Sequence, residues 1–132
     1  MNAEVDIRAA LLALLRGDGA LMAQVNRIYD EAPVKATPPM VVVGQCTGDD
    51  WGTKDRPGRE LRIGITAEDD KESATRLSNI MGNIDQIIAQ LPASIAGWQL
   101  GSIRLIRSRL LRTNALRWNG VMDYRIRVLA GP

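Results

Sequence analysis

The stretch WNGVMDYRIRVLA, residues 118–130, alternates apolar and polar side chains over most of its length. Five apolar residues share one parity and are expected to face a core: Met122, Tyr124, Ile126, Val128 and Ala130. Asp123, Arg125 and Arg127 fall between them and face the other way. A two-residue period predicts a half-buried strand, and this strand decides how the segment before it is interpreted.

That preceding segment, IRLIRSRLLR at residues 103–112, does not fit an unbroken strand, because its apolar residues change parity after Leu105. A β-bulge at Leu105–Ile106 would turn the apolar side chains on both sides of it toward the same face of the sheet. The core-facing set would then be Ile103, Leu105, Ile106 and Leu110. The two strands would form a hairpin with one cationic face made of Arg104, Arg107, Arg109, Arg125 and Arg127. A helix over residues 103–110 is the alternative, since Ile103, Ile106 and Leu110 also fit a helical stripe.

A second hairpin is predicted upstream. Residues 40–46, MVVVGQC, form a β-branched run, and RELRIGITAED at 59–69 alternates with Leu61, Ile63, Ile65 and Ala67 on one side. Residues 47–58 between them are polar and are expected to form a long loop.

Three helices are expected around these strands. The first begins after Asn2 as N-cap and ends at Gly17, and a short second one runs through residues 18–25. The longest covers residues 74–91, with Asp69 or Asp70 as the expected N-cap. The sequence therefore predicts one α+β domain over residues 1–132. Its fold would be a mainly antiparallel four-stranded sheet of two hairpins, with the N-terminal helix and the long central helix packed on it.

The charges are distributed unevenly along the chain. Residues 1–97 hold ten Lys or Arg and fourteen Asp or Glu, whereas residues 98–132 hold seven Arg and one Asp. Such asymmetry favours either a polyanionic partner or an oligomer in which acidic and basic surfaces meet. Solvated arginines on a sheet face are the simpler alternative.

The sequence offers little for catalysis. It has no His, and its one cysteine, Cys46, ends an apolar strand and is expected to be an inert thiol. The pairs Asp49–Asp50 and Asp69–Asp70 lack the spacing of a known calcium loop. No signal peptide, membrane span or phosphate-binding loop is apparent. We therefore expect no enzyme, cofactor, metal site, small-molecule substrate or membrane partner.

The polar loop is the second candidate surface. Trp51 is a frequent type of interface anchor, although it could equally fold back onto its own core. Together, Asp49, Asp50, Trp51 and Lys54 are predicted to contact another subunit or a neighbouring component of an assembly. An acidic patch that fits an arginine face on the next copy gives head-to-tail contacts, which close as a ring or continue as a filament.

The chain resembles the tail completion, or tail terminator, proteins of long-tailed bacteriophages, prophages and gene transfer agents, a family long described as a domain of unknown function. The similarity runs from about Ile7 to Val128. It is most specific in RIYDEAPVKATPPMVVVG at residues 27–44 and in Trp51, Gly52 and Thr53.

The resemblance implies a virion structural protein that forms a ring, usually a hexamer, which caps the tail tube at its head-proximal end and meets the neck. Its expected partners are further copies of itself, the tube protein, a head–tail connector protein, and DNA passing through the lumen without sequence specificity. It would be found in the virion at the head–tail junction and, during assembly, in the host cytoplasm. The arginine residues would face either that DNA or a neighbouring subunit.

Two other functions remain open on the sequence alone. One is a different layer of the neck, such as a head-completion protein. The other is a monomeric nucleic-acid-binding module that uses the cationic face, for which Trp98, Trp118 and Tyr124 are the available stacking aromatics.

Overall fold

The computed structural model describes residues 2–114 and 117–131. In chain order the elements are α1 (Ala3–Arg16), α2 (Gly19–Gln24), β1 (Arg27–Asp30), β2 (Met40–Asp50), β3 (Gly58–Asp69), α3 (Thr75–Ile88), β4 (Ser94–Ile95), β5 (Trp98–Asn114) and β6 (Arg117–Ala130). The strands form one sheet in the order β1-β2-β3-β6-β5-β4, and the helices pack on one of its faces.

The expectation of a four-stranded, mainly antiparallel sheet is wrong, because the sheet is mixed and has six strands. The two expected hairpins, β2–β3 and β5–β6, are present and are joined by antiparallel pairing of β3 with β6. The additional strands lie at the two edges. β1 pairs parallel with Met40–Val43 of β2, and β4 pairs only with Trp98 and Gln99 of β5. Strands of four and two residues are too short to produce a readable alternation, which is why the sequence did not reveal them.

The first two helices begin where the sequence indicates. The Asn2 side chain accepts a hydrogen bond from the Val5 N–H at 3.0 Å, and Asp18 accepts one from the Leu21 N–H at 2.9 Å. Each satisfies one of the N–H groups that a helix leaves unpaired in its first turn. Gly17 follows the last residue of α1, as expected.

The expected cap of the long helix is wrong. The residue before α3 is Ala74, and no side chain caps the helix there. Asp69 instead ends β3, is fully buried, and accepts hydrogen bonds from the Arg76 guanidinium, with Nε at 2.9 Å, and from the Asp70 N–H. Because Arg76 donates to this carboxylate, the pKa of Asp69 lies below its usual value. The pair therefore ties the end of β3 to the first turn of α3.

The core lies between the helices and the sheet. The predicted alternation of β6 is confirmed, since Met122, Tyr124, Ile126, Val128 and Ala130 are all buried. The same holds for Leu61, Ile63, Ile65 and Ala67 of β3. The Tyr124 hydroxyl donates a hydrogen bond to Asp85 of α3 at 2.8 Å, which places a polar tie at the edge of this apolar layer.

The segment from residue 103 to residue 112 is a strand, and its bulge lies where the parity change predicts it. Leu105 pairs with Tyr124 and Arg107 with Asp123, which leaves Ile106 as the extra residue. Burial is wrong for three of the four residues that were expected to face the core. Leu105, Ile106 and Leu110 are exposed, and only Ile103 packs against the core. No described helix covers this half of β5, so residues on its helix face stay in contact with solvent.

A second bulge lies in β2, where the pairing shifts between Val43 and Cys46 opposite Gly64 of β3. Gly64 pairs with Asp123, so the β2 bulge and the β5 bulge lie on one row across the sheet. Bulges bend a strand and increase its twist. The sheet accordingly curves into a half-barrel, and its helix-free face is concave along this row.

Candidate functional site

On the helix-free side of the sheet, six arginines form what we call the arginine face: Arg62, Arg104, Arg107, Arg109, Arg125 and Arg127. Five of them are those predicted from the sequence, and the strand register places all five on one side. Arg104 pairs with Arg125, Arg107 with Asp123, and Arg127 with Ser102. Arg62 on β3 is the addition, since it pairs with Arg125 from the other flank. Its polar position in the β3 alternation was visible in the sequence, but pairing of β3 with β6 was not.

Carboxylates neutralise only part of this face. Glu60 contacts Arg127 Nε at 3.1 Å and Arg62 Nη2 at 3.3 Å, and Asp123 lies 3.5 Å from Arg107 Nε. The hydrogen bond from Arg127 lowers the pKa of Glu60. Within residues 2–114 and 117–131, no carboxylate lies within 4.0 Å of Arg104, Arg109 or Arg125. The face therefore keeps a positive excess at its centre and along β5.

The Trp51 loop is shorter than expected. β2 continues to Asp50 and β3 begins at Gly58, so the predicted loop of residues 47–58 is reduced to residues 51–57. Arg56 holds it in place through hydrogen bonds to the Ala130 carbonyl at 2.9 Å and to Gln99 at 2.7 Å. A loop tied at this point to β5 and β6 presents a fixed surface at that end of the sheet.

Trp51 is half-buried, and it folds back onto the arginine face rather than onto the core. The Arg127 guanidinium lies 5.4 Å from the centroid of its ring, and a Cβ added to Gly101 would lie 3.2 Å from the indole. The glycine thus leaves room for the ring, and the cation stacks on it.

The other predicted loop residues do not form one cluster with Trp51. Asp49 pairs with Glu60 and shares the arginine face, whereas Asp50 pairs with Arg59 on the helix face. Asp50 accepts a hydrogen bond from the Gly52 N–H at 3.1 Å. Lys54 is exposed in the loop. These residues are close in sequence but lie on two faces of the sheet and in the loop.

Both long outer strands have open edges in the described part of the chain. β1 covers β2 only as far as Val43, and Arg8 donates hydrogen bonds to the Val43 and Gly44 carbonyls at 2.7 and 2.8 Å. On the side away from β3, residues 45–50 of β2 have no strand beside them among the described residues. β4 ends at the start of β5, which leaves that strand uncovered from Ser102 onward. Unpaired N–H and C=O groups of this kind are ready to pair with another chain.

Apolar side chains accompany the open edge of β5. On its helix face, Leu105 is 39% exposed and Leu110 is 50% exposed. On the other side of the molecule, a groove of about 500 Å³ runs between α1 and the β2 edge. Val5, 63% exposed, lines it with Ala9 and Leu12. This groove was not predicted. Its only sequence signal is Val5, which falls outside the buried stripe of α1.

Cys46, the one cysteine of the sequence, is half-buried in β2. Burial, and secondarily Glu4, raise the pKa of Cys46 to about 11, so its thiol is protonated at neutral pH. Within the described ranges no group of three or more His, Cys, Asp or Glu side chains could hold a metal ion. No helix of residues 2–114 and 117–131 is both long and apolar enough to span a membrane.

The aromatic side chains give little support to a stacking platform. Trp98 is buried, and its Nε1–H donates to Asp6 at 3.2 Å. Tyr124 is buried as well. Trp118 is half-buried and stacks against the Arg112 guanidinium at 4.6 Å.

Together, the fold and these surfaces define a small α+β module that presents charged faces and open sheet edges to other molecules. The family model described as tail completion protein gp17 matches residues 9–129, so the chain belongs to this family of phage tail structural proteins, which confirms the resemblance. Among solved structures, a chain of the virion of a native gene transfer agent particle has a TM-score of 0.82 at 18% identity. The alignment covers 98% of this chain and 100% of that one, and at this identity it shows a shared fold. No curated protein matches the sequence.

Proposed function

We propose that this tail completion protein assembles as a closed ring at the head–tail junction of a virion, where it ends the tail tube and joins it to the neck. A ring of six copies is the size that the resemblance implies. Family membership supports the tail role. The observation that carries the ring is the pair of open edges on opposite sides of one curved sheet, with different charges.

The direction of the strands suits such an assembly. β2, β3, β6 and β5 each run antiparallel to the next, so β2 and β5 point in opposite directions. Copies related by rotation about a common axis can therefore pair β5 of one with β2 of the next in an antiparallel ladder. That contact is head-to-tail, uses different surfaces on the two copies, and satisfies backbone groups that both edges leave open.

The side chains at the two edges are complementary. On the β2 side, Asp49 on the arginine face and Asp50 on the helix face both have no cation within 4.0 Å among the described residues. On the β5 side, Arg109, which lies on the arginine face as Asp49 does, has no carboxylate within that distance among the same residues. Unpaired charges of opposite sign favour the correct register and disfavour pairing of two identical edges.

The apolar surfaces are complementary as well. Edge pairing continues the helix face of β5 into the helix face of the next copy. Leu105 and Leu110 then lie beside the α1 groove, where Val5 is the most exposed apolar side chain. Covering these groups gives the contact an apolar centre, and the charged residues form its rim.

Trp51 and Lys54 are proposed to contact the tube or the adjoining subunit from the fixed loop at one end of the sheet. Trp51→Ala removes the half-buried ring without opening the core, so we expect a folded protein with weakened assembly. Unchanged assembly of this variant would reject the role of the loop while leaving the edge contact standing.

Native mass spectrometry over a concentration series, with and without purified tail tubes, tests the ring. The expected species is a discrete closed oligomer that forms alone or on a tube end. Continued monomer in both conditions would refute the ring. Particles made without this gene should carry unattached or misgrown tails, and normal infectious particles would refute the tail role. Capture of the portal side instead of the tube would assign the protein to another layer of the neck.

A further inference from the structure

Three residues of the arginine face occupy directly paired positions on three adjacent strands. Arg125 on β6 pairs directly with Arg62 on β3 and with Arg104 on β5. Neighbouring strands are about 4.8 Å apart, so these side chains leave the sheet close together. Like charges directly opposite each other destabilise a sheet unless an anion lies between them.

The carboxylates of the protein neutralise only part of the charge of these three arginines. Glu60 reaches Arg62 at 3.3 Å but shares its other oxygen with Arg127, and it does not contact Arg125 or Arg104. The Nε of Arg125 is buried and has no hydrogen-bond partner within the described ranges. Burying an unsatisfied donor is costly, so an acceptor that reaches this guanidinium would stabilise the row.

The row borders the concave groove that follows the two bulges. The groove has a volume of about 670 Å³. Of the three arginines only Arg62 lines it, and its further lining includes Arg107, Asp123 and Gly64. It is open to solvent along the helix-free face, and its polar lining can hold an anion with its attached groups. Guanidinium forks match phosphate oxygens in both geometry and charge.

We propose that Arg62, Arg125 and Arg104 form a binding row for the phosphodiester backbone of nucleic acid, independent of base sequence. The choice of phosphate over a neighbour's carboxylate rests on the proposed ring. Edge-to-edge closure turns the concave face toward the axis, away from the next copy, and leaves it exposed to what passes through the lumen. The row itself lies within one chain, so its affinity for phosphate does not require the ring.

The test measures binding of a fluorescent 20-base-pair DNA duplex by anisotropy, between 50 and 200 mM NaCl, to the wild type and to Arg104→Gln/Arg125→Gln. Glutamine keeps much of the packing and removes two charges. Lys35→Gln/Lys71→Gln is the control, because both lysines are exposed, lie off the arginine face, and change the net charge equally. Arg104→Gln alone is the second variant in case the buried position affects folding.

We expect the double arginine variant to bind about 10- to 100-fold more weakly at 100 mM salt, with a salt slope reduced by about 2, and the lysine control to stay within about 3-fold of wild type. Equal losses in both variants would show an effect of net charge alone and overturn the proposal. So would an absence of wild-type binding at 50 mM salt. The oligomeric state of the same samples distinguishes a failure of the phosphate-binding row from a failure of the proposed ring. Loss of the oligomer with DNA affinity unchanged would assign the row to a neighbour's carboxylates, whereas a monomer that still binds through the row would refute the ring alone.

Discussion

The double substitution Leu105→Ser/Leu110→Ser should weaken assembly while leaving a folded monomer. Both residues lie on the helix face of β5, opposite Tyr124 and Gly120 respectively, at the edge proposed to meet the next copy. Ile106→Ser/Leu111→Ser is the matched control. It changes two apolar residues of the same strand with similar exposure: Leu111 lies on the helix-free face opposite Asn119, and Ile106 is the unpaired residue of the bulge.

The magnitude follows from the exposed fractions. Full burial of a leucine side chain contributes about 1.5–3 kcal/mol. Leu105 is 39% exposed and Leu110 is 50% exposed, so the area left to cover at each interface is worth roughly 2 kcal/mol for the pair. The portion already buried makes the variant monomer less stable by a similar amount, about 2 kcal/mol, which a domain of this size can lose without unfolding.

A loss of 2 kcal/mol per contact lowers each association constant about 30-fold. Native mass spectrometry should therefore find the midpoint between monomer and oligomer at a protein concentration at least about 30-fold higher. Urea titration confirms that the variant is folded. If the control variant shifts the midpoint as much, the helix face has no special role. If neither variant shifts it, edge pairing through β5 is wrong.

Three further predictions concern the monomer. Arg76→Met leaves the buried Asp69 carboxylate without its charged partner and should cost about 2–3 kcal/mol of unfolding free energy at pH 7, after allowance for the partial exposure of Arg76. Because the pKa of Asp69 is lowered in the folded state, this stabilisation is complete above the unfolded-state pKa near 4 and is lost as the pH falls through the folded-state pKa. If the variant and the wild type differ in unfolding free energy by the same amount at pH 7 and at pH 2.5, the ion pair is not the source of the stabilisation. Tyr124→Phe removes the hydrogen bond to Asp85 and should lower the urea midpoint by an amount equivalent to about 1 kcal/mol without changing the slope, and no shift would show that water replaces this bond fully. Cys46, with its pKa raised to about 11, should react with iodoacetamide at pH 8 at least about 100-fold more slowly than a free cysteine, and alkylation at the free rate would exclude the raised pKa.

The sequence predicts the part of this fold whose signal is periodic. The β6 alternation and the parity change in β5 predict the hairpin and the position of its bulge, because each inward residue has a directly opposed partner. They do not predict burial at the far end of β5. Burial depends on whether a helix lies above the strand, and no local pattern encodes that. Leu105 and Leu110 therefore lie on the predicted side of the sheet, but they are exposed instead of buried.

In the candidate site, too, the sequence predicts what depends on local strand parity and not what depends on long-range pairing. The five predicted arginines share a face because strand parity is local, but Arg62 joins them only through the long-range pairing of β3 with β6. Asp49 and Asp50 are adjacent in sequence and therefore lie on opposite faces once β2 extends to residue 50. Trp51 contacts Gly101 and Arg127, which lie far along the chain, and no spacing rule relates these positions.

An open edge by itself would favour filaments or disordered aggregates as readily as a ring. Three features of this chain narrow the outcome. β1 and the Arg8 hydrogen bonds close β2 up to Gly44, and β4 closes the start of β5, so only one stretch of each edge can pair. The bulges near Gly64 and Asp123 fall on the same row, along which the helix-free face is concave. A copy added edge to edge continues that curvature instead of extending a flat ribbon. Head-to-tail contacts with a fixed curvature return to the first copy after a set number of subunits, which is the condition for closure.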